Sequence, residues 1–172
     1  MRLTAFAATL IISAAPLLAA DVIETDQMIV YEGQWVQSKL AEQNGALMFL
    51  TVPRGQIGEY FSISCILSGG TLDRTIKLGF PDPLASDSAP VMLRVGDIQH
   101  QATATFTGTT PDPAYTKSDI HSYALRFTDE ATESAVFDAM RKGSELQISG
   151  QQLPIDLTGF TAAYNGQTAY CR

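Results

Sequence analysis

Cysteine is scarce in this chain, with Cys65 and Cys171 its two instances. Tryptophan is reduced to Trp35 and histidine to His100 and His121. So few thiols and imidazoles make zinc a poor fit, because a zinc site takes about four ligands and neither histidine has a partner at motif spacing. The usual catalytic signatures are missing too: there is no G-x-S-x-G elbow, H-E-x-x-H, Walker loop or G-x-G-x-x-G after a strand. Basic residues are few, 11 against 18 acidic ones, for a formal charge of -7. An acidic chain repels phosphate backbones, so nucleic acid is not an expected partner. Past residue 20 there is no long apolar run, and stable membrane insertion of that part is not expected.

What is present begins with a leader. Residues 1–20, MRLTAFAATLIISAAPLLAA, read as a secretory signal peptide: Arg2 supplies the positive start and Ala5–Ala15 the apolar stretch. Pro16 then breaks the helix, and Ala19 and Ala20 precede polar Asp21. The apolar stretch is short for a membrane anchor, and no cysteine follows it for lipoprotein processing. Loss of Arg2 with the leader makes the remaining chain one unit more negative. Residues 21–172 have the length of a single domain that can bury a core of its own.

In an oxidising compartment the two cysteines are expected to pair as a Cys65–Cys171 disulfide, with a free thiol or a metal ligand as the alternatives. Cys65 sits in YFSISCIL, where Phe61, Ile63 and Cys65 share one face of an alternating strand, the face expected to meet the core. The bridge would close a loop of roughly 107 residues, worth about 4 to 5 kcal/mol in the chain-entropy treatment.

Segments rich in β-branched and aromatic residues recur between Gly, Pro and Asp punctuation, and no repeat or linker divides them. MIVYEGQWVQSKL, ALMFLTVP and YFSISCIL read as strands, with turns at RGQIGE and at Ser68–Gly70. TLDRTIKLGF reads as a return strand in which Arg74 intrudes on the apolar face of Leu72, Ile76 and Leu78. PDPLASDSAP reads as a loop because its prolines cannot feed a ladder. VMLRVGD and IQHQATATFTG form a predicted hairpin around Gly96 and Asp97, and Pro111 and Pro113 mark a further loop. In IHSYALRF, His121, Tyr123, Leu125 and Phe127 share one face. TDEATESAVFDAMRKG is the clearest helix, with Thr128 or Asp129 as N-cap, Val136, Ala139 and Met140 on one face, and Gly143 as a left-handed cap. ELQISGQQLPIDL predicts a closing hairpin near Gly150, and TGFTAAYNG a short helix or turn. Eight or so strands with one or two C-terminal helices indicate a mainly β protein, an antiparallel β-sandwich with α+β as the near alternative.

Candidate chemistry is thin. His100 and His121 could each act as a general base, yet both fall inside strand patterns with no nucleophile beside them. Asp73, Asp97 and Asp119, and the Pro-Asp-Pro stretches at Asp82 and Asp112, read as solvated turn and strand carboxylates without EF-hand alternation. SGGT is too short to cradle a phosphate. Tyr31 and Trp35 suit either a partner or, more simply, the core. No catalytic, cofactor or metal residue is assigned.

A strand ending in cysteine (FSISC), an Arg-containing strand (VMLRVGD) and a helix running into FDAMRKGSELQI occur in that order and lead into LPIDLTGFTAAYNGQTAYC. This order resembles that of small bacterial periplasmic proteins such as the type VI secretion accessory (TagO or VasI-like) family. The helix followed by G-S/K-x-L-x-[IV] and an L-x-GF-x-A-A segment also resembles the invasion-associated locus B family. The resemblance spans about residues 60 to 171 and is densest over Phe137–Cys171. It implies a β-sandwich, a periplasmic location and an accessory or virulence-linked role, and carries no catalytic residue onto this chain.

The expected function is that of an exported periplasmic or secreted accessory protein, without catalytic activity and without a cofactor, that engages a protein or cell-envelope component. A hydrolase using His100 or His121 beside a carboxylate, and a secreted inhibitor presenting residues 81–90, are the alternatives. The disulfide is directly measurable: the intact mass of protein taken from the periplasm is expected to rise by two hydrogens on reduction, and free thiols at both cysteines would rule the bridge out.

Overall fold

Alternation of apolar and polar residues produces most of the backbone structure in a computed structural model that describes residues 21–32, 35–40, 46–50, 59–68, 71–111 and 119–168. The leader at residues 1–20, most of the RGQIGE turn, Gly69 and Gly70, Asp112 and Cys171 lie outside these described residues. Among the described residues the strands are β1 (Val22–Glu24), β2 (Met28–Tyr31), β3 (Trp35–Ser38), β4 (Leu47–Leu50), β5 (Tyr60–Ser68), β6 (Thr71–Phe80), β7 (Ser88–Val95), β8 (Ile98–Pro111), β9 (Asp119–Phe127), β10 (Glu145–Ile148) and β11 (Ile155–Asp156). Two helices, α1 (Glu130–Lys142) and α2 (Phe160–Thr168), complete the described chain.

The fold is mainly β. Strands follow the order β1-β2-β3-β4-β5-β6-β9-β8-β7-β10-β11, every pair antiparallel. The faces follow the alternation read from the sequence. Phe61, Ile63 and Cys65 are buried, as are Ile76 and Leu78, Val91, Leu93 and Val95, and Tyr123 and Leu125. These side chains form one inner face, which both helices cover: α1 lies against β7, β8 and β9, and α2 against β2, β3 and β4.

Local chemistry explains the helix ends. Asp129 caps α1, its Oδ1 accepting the Thr132 N–H at 2.7 Å. These hydrogen bonds hold the Asp129 carboxyl below its usual range. Glu130 and Glu133 lie in the first turn and Arg141 and Lys142 in the last, each complementing the dipole. Val136, Ala139 and Met140 are buried as predicted, and Phe137 joins them. Gly143 corrects the expected left-handed cap: it is extended (φ -87°), and its N–H bonds to Ala139 O at 2.8 Å. Gly166 in α2 permits close packing, because a Cβ there would lie 2.5 Å from Tyr31 Oη.

Two further expectations need correction. The PDPLASDSAP segment is not loop throughout, since β7 begins at Ser88 and includes Pro90. Met92 directs its N–H and C=O to Ser149 on the β10 side. Pro90, two residues earlier, turns its nitrogen to that same flank. There β10 pairs only with Leu93 and Arg94, so no ladder bond is lost. At the other loop, Thr109–Pro111 belong to β8, which passes a bulge between Phe106 and Gly108 and stays paired to Asp119.

Arg74, the exception on an apolar face, ties the sheet to both helices. It forms an ion pair with Glu133, donates to Tyr164 Oη at 3.2 Å and lies 5.3 Å from the Phe137 ring centroid. Trp35 is fully buried, 4.8 Å from the Phe160 ring centroid, and its Nε1–H donates to Asp156 O at 3.2 Å. That bond joins β3 to β11, far apart in strand order, so the sheet curls around α1 and α2. Cys65 is buried and carries no free thiol. Its pairing with Cys171 remains a proposal, since Cys171 lies outside the described residues.

Candidate functional site

The curl of the sheet carries the β10–β11 connection back over the ends of β5 and β6, and two side chains fix it there. Glu59 is buried, and its carboxylate accepts the Gln152 N–H and, at 2.9 Å, the Leu153 N–H. Gln151 Nε2 donates to Tyr60 O at 3.1 Å and to Gly79 O at 3.0 Å. The connection turns at Gly150, whose φ of +91° suits a residue without a Cβ. A side chain there would also crowd Phe80 and Leu84.

Between this anchored connection and the outer faces of β7, β8 and β10 lies a groove of about 430 Å³. Its walls carry Arg94, Gln99, Gln147, Ser149, Gln151 and Gln152, with Met92, Ile148, Leu153 and Pro154 as apolar patches. Register places Gln147, Arg94 and Gln99 side by side across three strands. Arg94 donates to Gln147 Oε1, and Gln147 Nε2 donates to Glu145 Oε1 at 2.7 Å. Ser149 extends the ladder, its N–H bonding to Met92 O and its Oγ accepting the Met92 N–H, both at 2.9 Å. Gln151 Oε1 is buried without a hydrogen-bond partner among the described residues.

The groove offers hydrogen bonding around one cation. Arg94 is its one ionisable side chain among the described residues, and a guanidinium stays charged and donates up to five hydrogen bonds. Amide side chains add donors and acceptors together. Ser149 Oγ is engaged by a main-chain N–H, and the lining holds no base to activate it.

The sequence-predicted candidates lie elsewhere. His100 lies on β8 near Asp129, the N-cap of α1. His121 Nδ1 lies 3.5 Å from Thr109 Oγ1 and its ring 6.5 Å from that of Phe106. Neither histidine lines the groove. Asp73, Asp97 and Asp119 stand on β6, the β7–β8 turn and the start of β9, and the described residues hold no cluster able to bind a metal ion. The segment at 81–87 is pinned, with the Leu84 N–H donating to Tyr123 Oη at 2.9 Å. Tyr31 and Trp35 belong to the core. Among the described residues no helix is long and apolar enough to cross a membrane.

Sequence reasoning missed the groove. Its signal was the outward position of Arg94 in the alternation of VMLRV, next to the paired glutamines at 151 and 152. Comparison of the chain with protein-family models, with curated proteins and with solved structures finds no match.

Glu59 is the group on which the groove's far wall depends. Replacing it with Ala leaves two main-chain N–H groups without their acceptor, an expected cost of about 1–3 kcal/mol. Chemical unfolding checks the loss, and hydrogen exchange at Gln152 and Leu153 should quicken; Glu59→Gln, which keeps an acceptor, is expected to lose less.

Proposed function

We propose that this is an exported binding or accessory protein of the periplasm, which holds a protein or cell-envelope component in the Arg94 groove. The observation that carries the reading is the lining itself: one fixed cation among amide and hydroxyl groups, a set that orients a ligand by hydrogen bonds. The leader at residues 1–20, and the resemblance to the TagO/VasI-like and invasion-associated locus B families, support the location and the accessory role.

A photo-crosslinking residue at Gln152 tests this in intact cells. The expected result is a discrete adduct with an envelope component, reduced about tenfold or more when Arg94 is replaced by Ala, the scale of a charge-assisted hydrogen bond. Adducts unchanged by Arg94→Ala, or none at all from a folded protein, would overturn the proposal.

A further inference from the structure

Among the described residues, the cations without a carboxylate partner are not scattered. Among the described residues Lys39 faces Glu24, Arg74 faces Glu133 and Arg141 faces Asp138. Lys77, Arg94, Arg126 and Lys142 face no carboxylate. Three of these, Lys77, Arg94 and Arg126, share the outer face of the sheet, on β6, β7 and β9, and all three are exposed.

Register sets their relative positions. Lys77 is opposite Ala124, two residues before Arg126; Arg126 is opposite Thr103, which is opposite Pro90, and Arg94 lies four residues further along β7. Each step advances in the same direction along the strands, so the cations form a diagonal line. With strands about 4.8 Å apart and about 3.3 Å per residue, Lys77 and Arg126 are separated by about 8 Å, and Arg126 and Arg94 by about 16 Å. The surface between them carries uncharged polar groups, Thr103, Thr105, Gln101 and Gln99, with Pro90 and Met92 as apolar neighbours on β7, all exposed. Asp73 is the acid on the outer face of β6 to β9, and beyond Arg94 come Glu145 on β10 and Asp156 opposite it on β11. Asp73 lies four residues from Lys77 on β6, and Glu145 is engaged by Gln147.

We infer that the ligand of the groove is an anionic glycan that continues out of it across this face, its acidic groups meeting Arg94, Arg126 and Lys77 in turn. The inference rests on the groove being the binding site. Charge complementarity selects an anion, and the Gln and Thr side chains, each donor and acceptor at once, match sugar hydroxyls. An acidic peptide fits less well. A peptide that joins the sheet at its edge does so through main-chain pairing. The open flank of β7 is interrupted by Pro90, which has no N–H to give.

The test uses the full mature chain and three probes: polygalacturonate as anionic glycan, dextran as neutral glycan and poly-glutamate as acidic peptide. Affinity electrophoresis or calorimetry is expected to show binding to polygalacturonate, weakened by salt, with none to dextran and at least about tenfold weaker binding to poly-glutamate. Arg94→Gln, Arg126→Gln and Lys77→Gln should each weaken the polygalacturonate interaction several-fold. Lys142→Gln, which removes the same charge from α1, should leave it unchanged. Circular dichroism confirms that each variant is folded. Equal binding of poly-glutamate, equal loss with Lys142→Gln, or no binding of polygalacturonate would each overturn the inference. In the last case an Arg94-dependent adduct at Gln152 would still uphold the binding role, so the two failures are distinct.

Discussion

The structure depends on an aromatic stack held between a curling sheet and two helices. Trp35 from β3 meets Phe160 of α2; Phe137 of α1 stacks on Tyr164 of α2 with centroids 5.1 Å apart, and on Phe160 at 6.4 Å. Arg74 closes the stack from the sheet side, over Phe137 and paired to Glu133. A long antiparallel sheet twists and cannot remain flat, so its concave side must be filled. Two short helices, one carrying a fully buried phenylalanine, fill it. Most of the buried apolar residues, from Tyr31 to Ala163, then form one cluster.

This curl gives the sheet two unlike faces. The inner face is apolar, with a small polar layer in which Tyr31 Oη donates to Gln37 Oε1 at 3.0 Å and Gln167 Nε2 donates to Ile63 O at 3.2 Å. On the outer face Tyr60 reaches past Gly79, which has no side chain, to donate to Ser122 Oγ at 2.7 Å. Burial raises the Tyr60 pKa, which keeps the phenol protonated for that bond. Because the sheet curls around the helices, the β10–β11 connection lands beside Tyr60 and Gly79, and the groove lies where those distant segments meet.

That dependence on closure decides what could be read from the sequence. Strand faces at Phe61–Cys65, Val91–Val95 and Tyr123–Leu125 follow from period-2 alternation, a local property. The α1 helix follows from its cap, its charges and the spacing of Val136, Ala139 and Met140. Arg74 looked anomalous because its partners, Glu133 and Tyr164, are about 60 to 90 residues away in sequence. Pro90 misled because proline is compatible with a strand on an open flank, and strand order alone reveals the flank. The same holds for the groove: Glu59 and Gln152 are joined by a bond across 93 residues, which no local pattern announces.

Trp35 is the chain's single tryptophan, and it bridges β3 to Asp156 in β11, so its fluorescence reports closure without labelling. Acrylamide quenching of Trp35 through a denaturant titration is the direct measurement. Closure around the helices predicts a shielded indole in the native protein, becoming accessible in the same transition in which far-ultraviolet circular dichroism is lost. A tryptophan already open to quencher in the native state, or one exposed well before the sheet unfolds, would contradict the account.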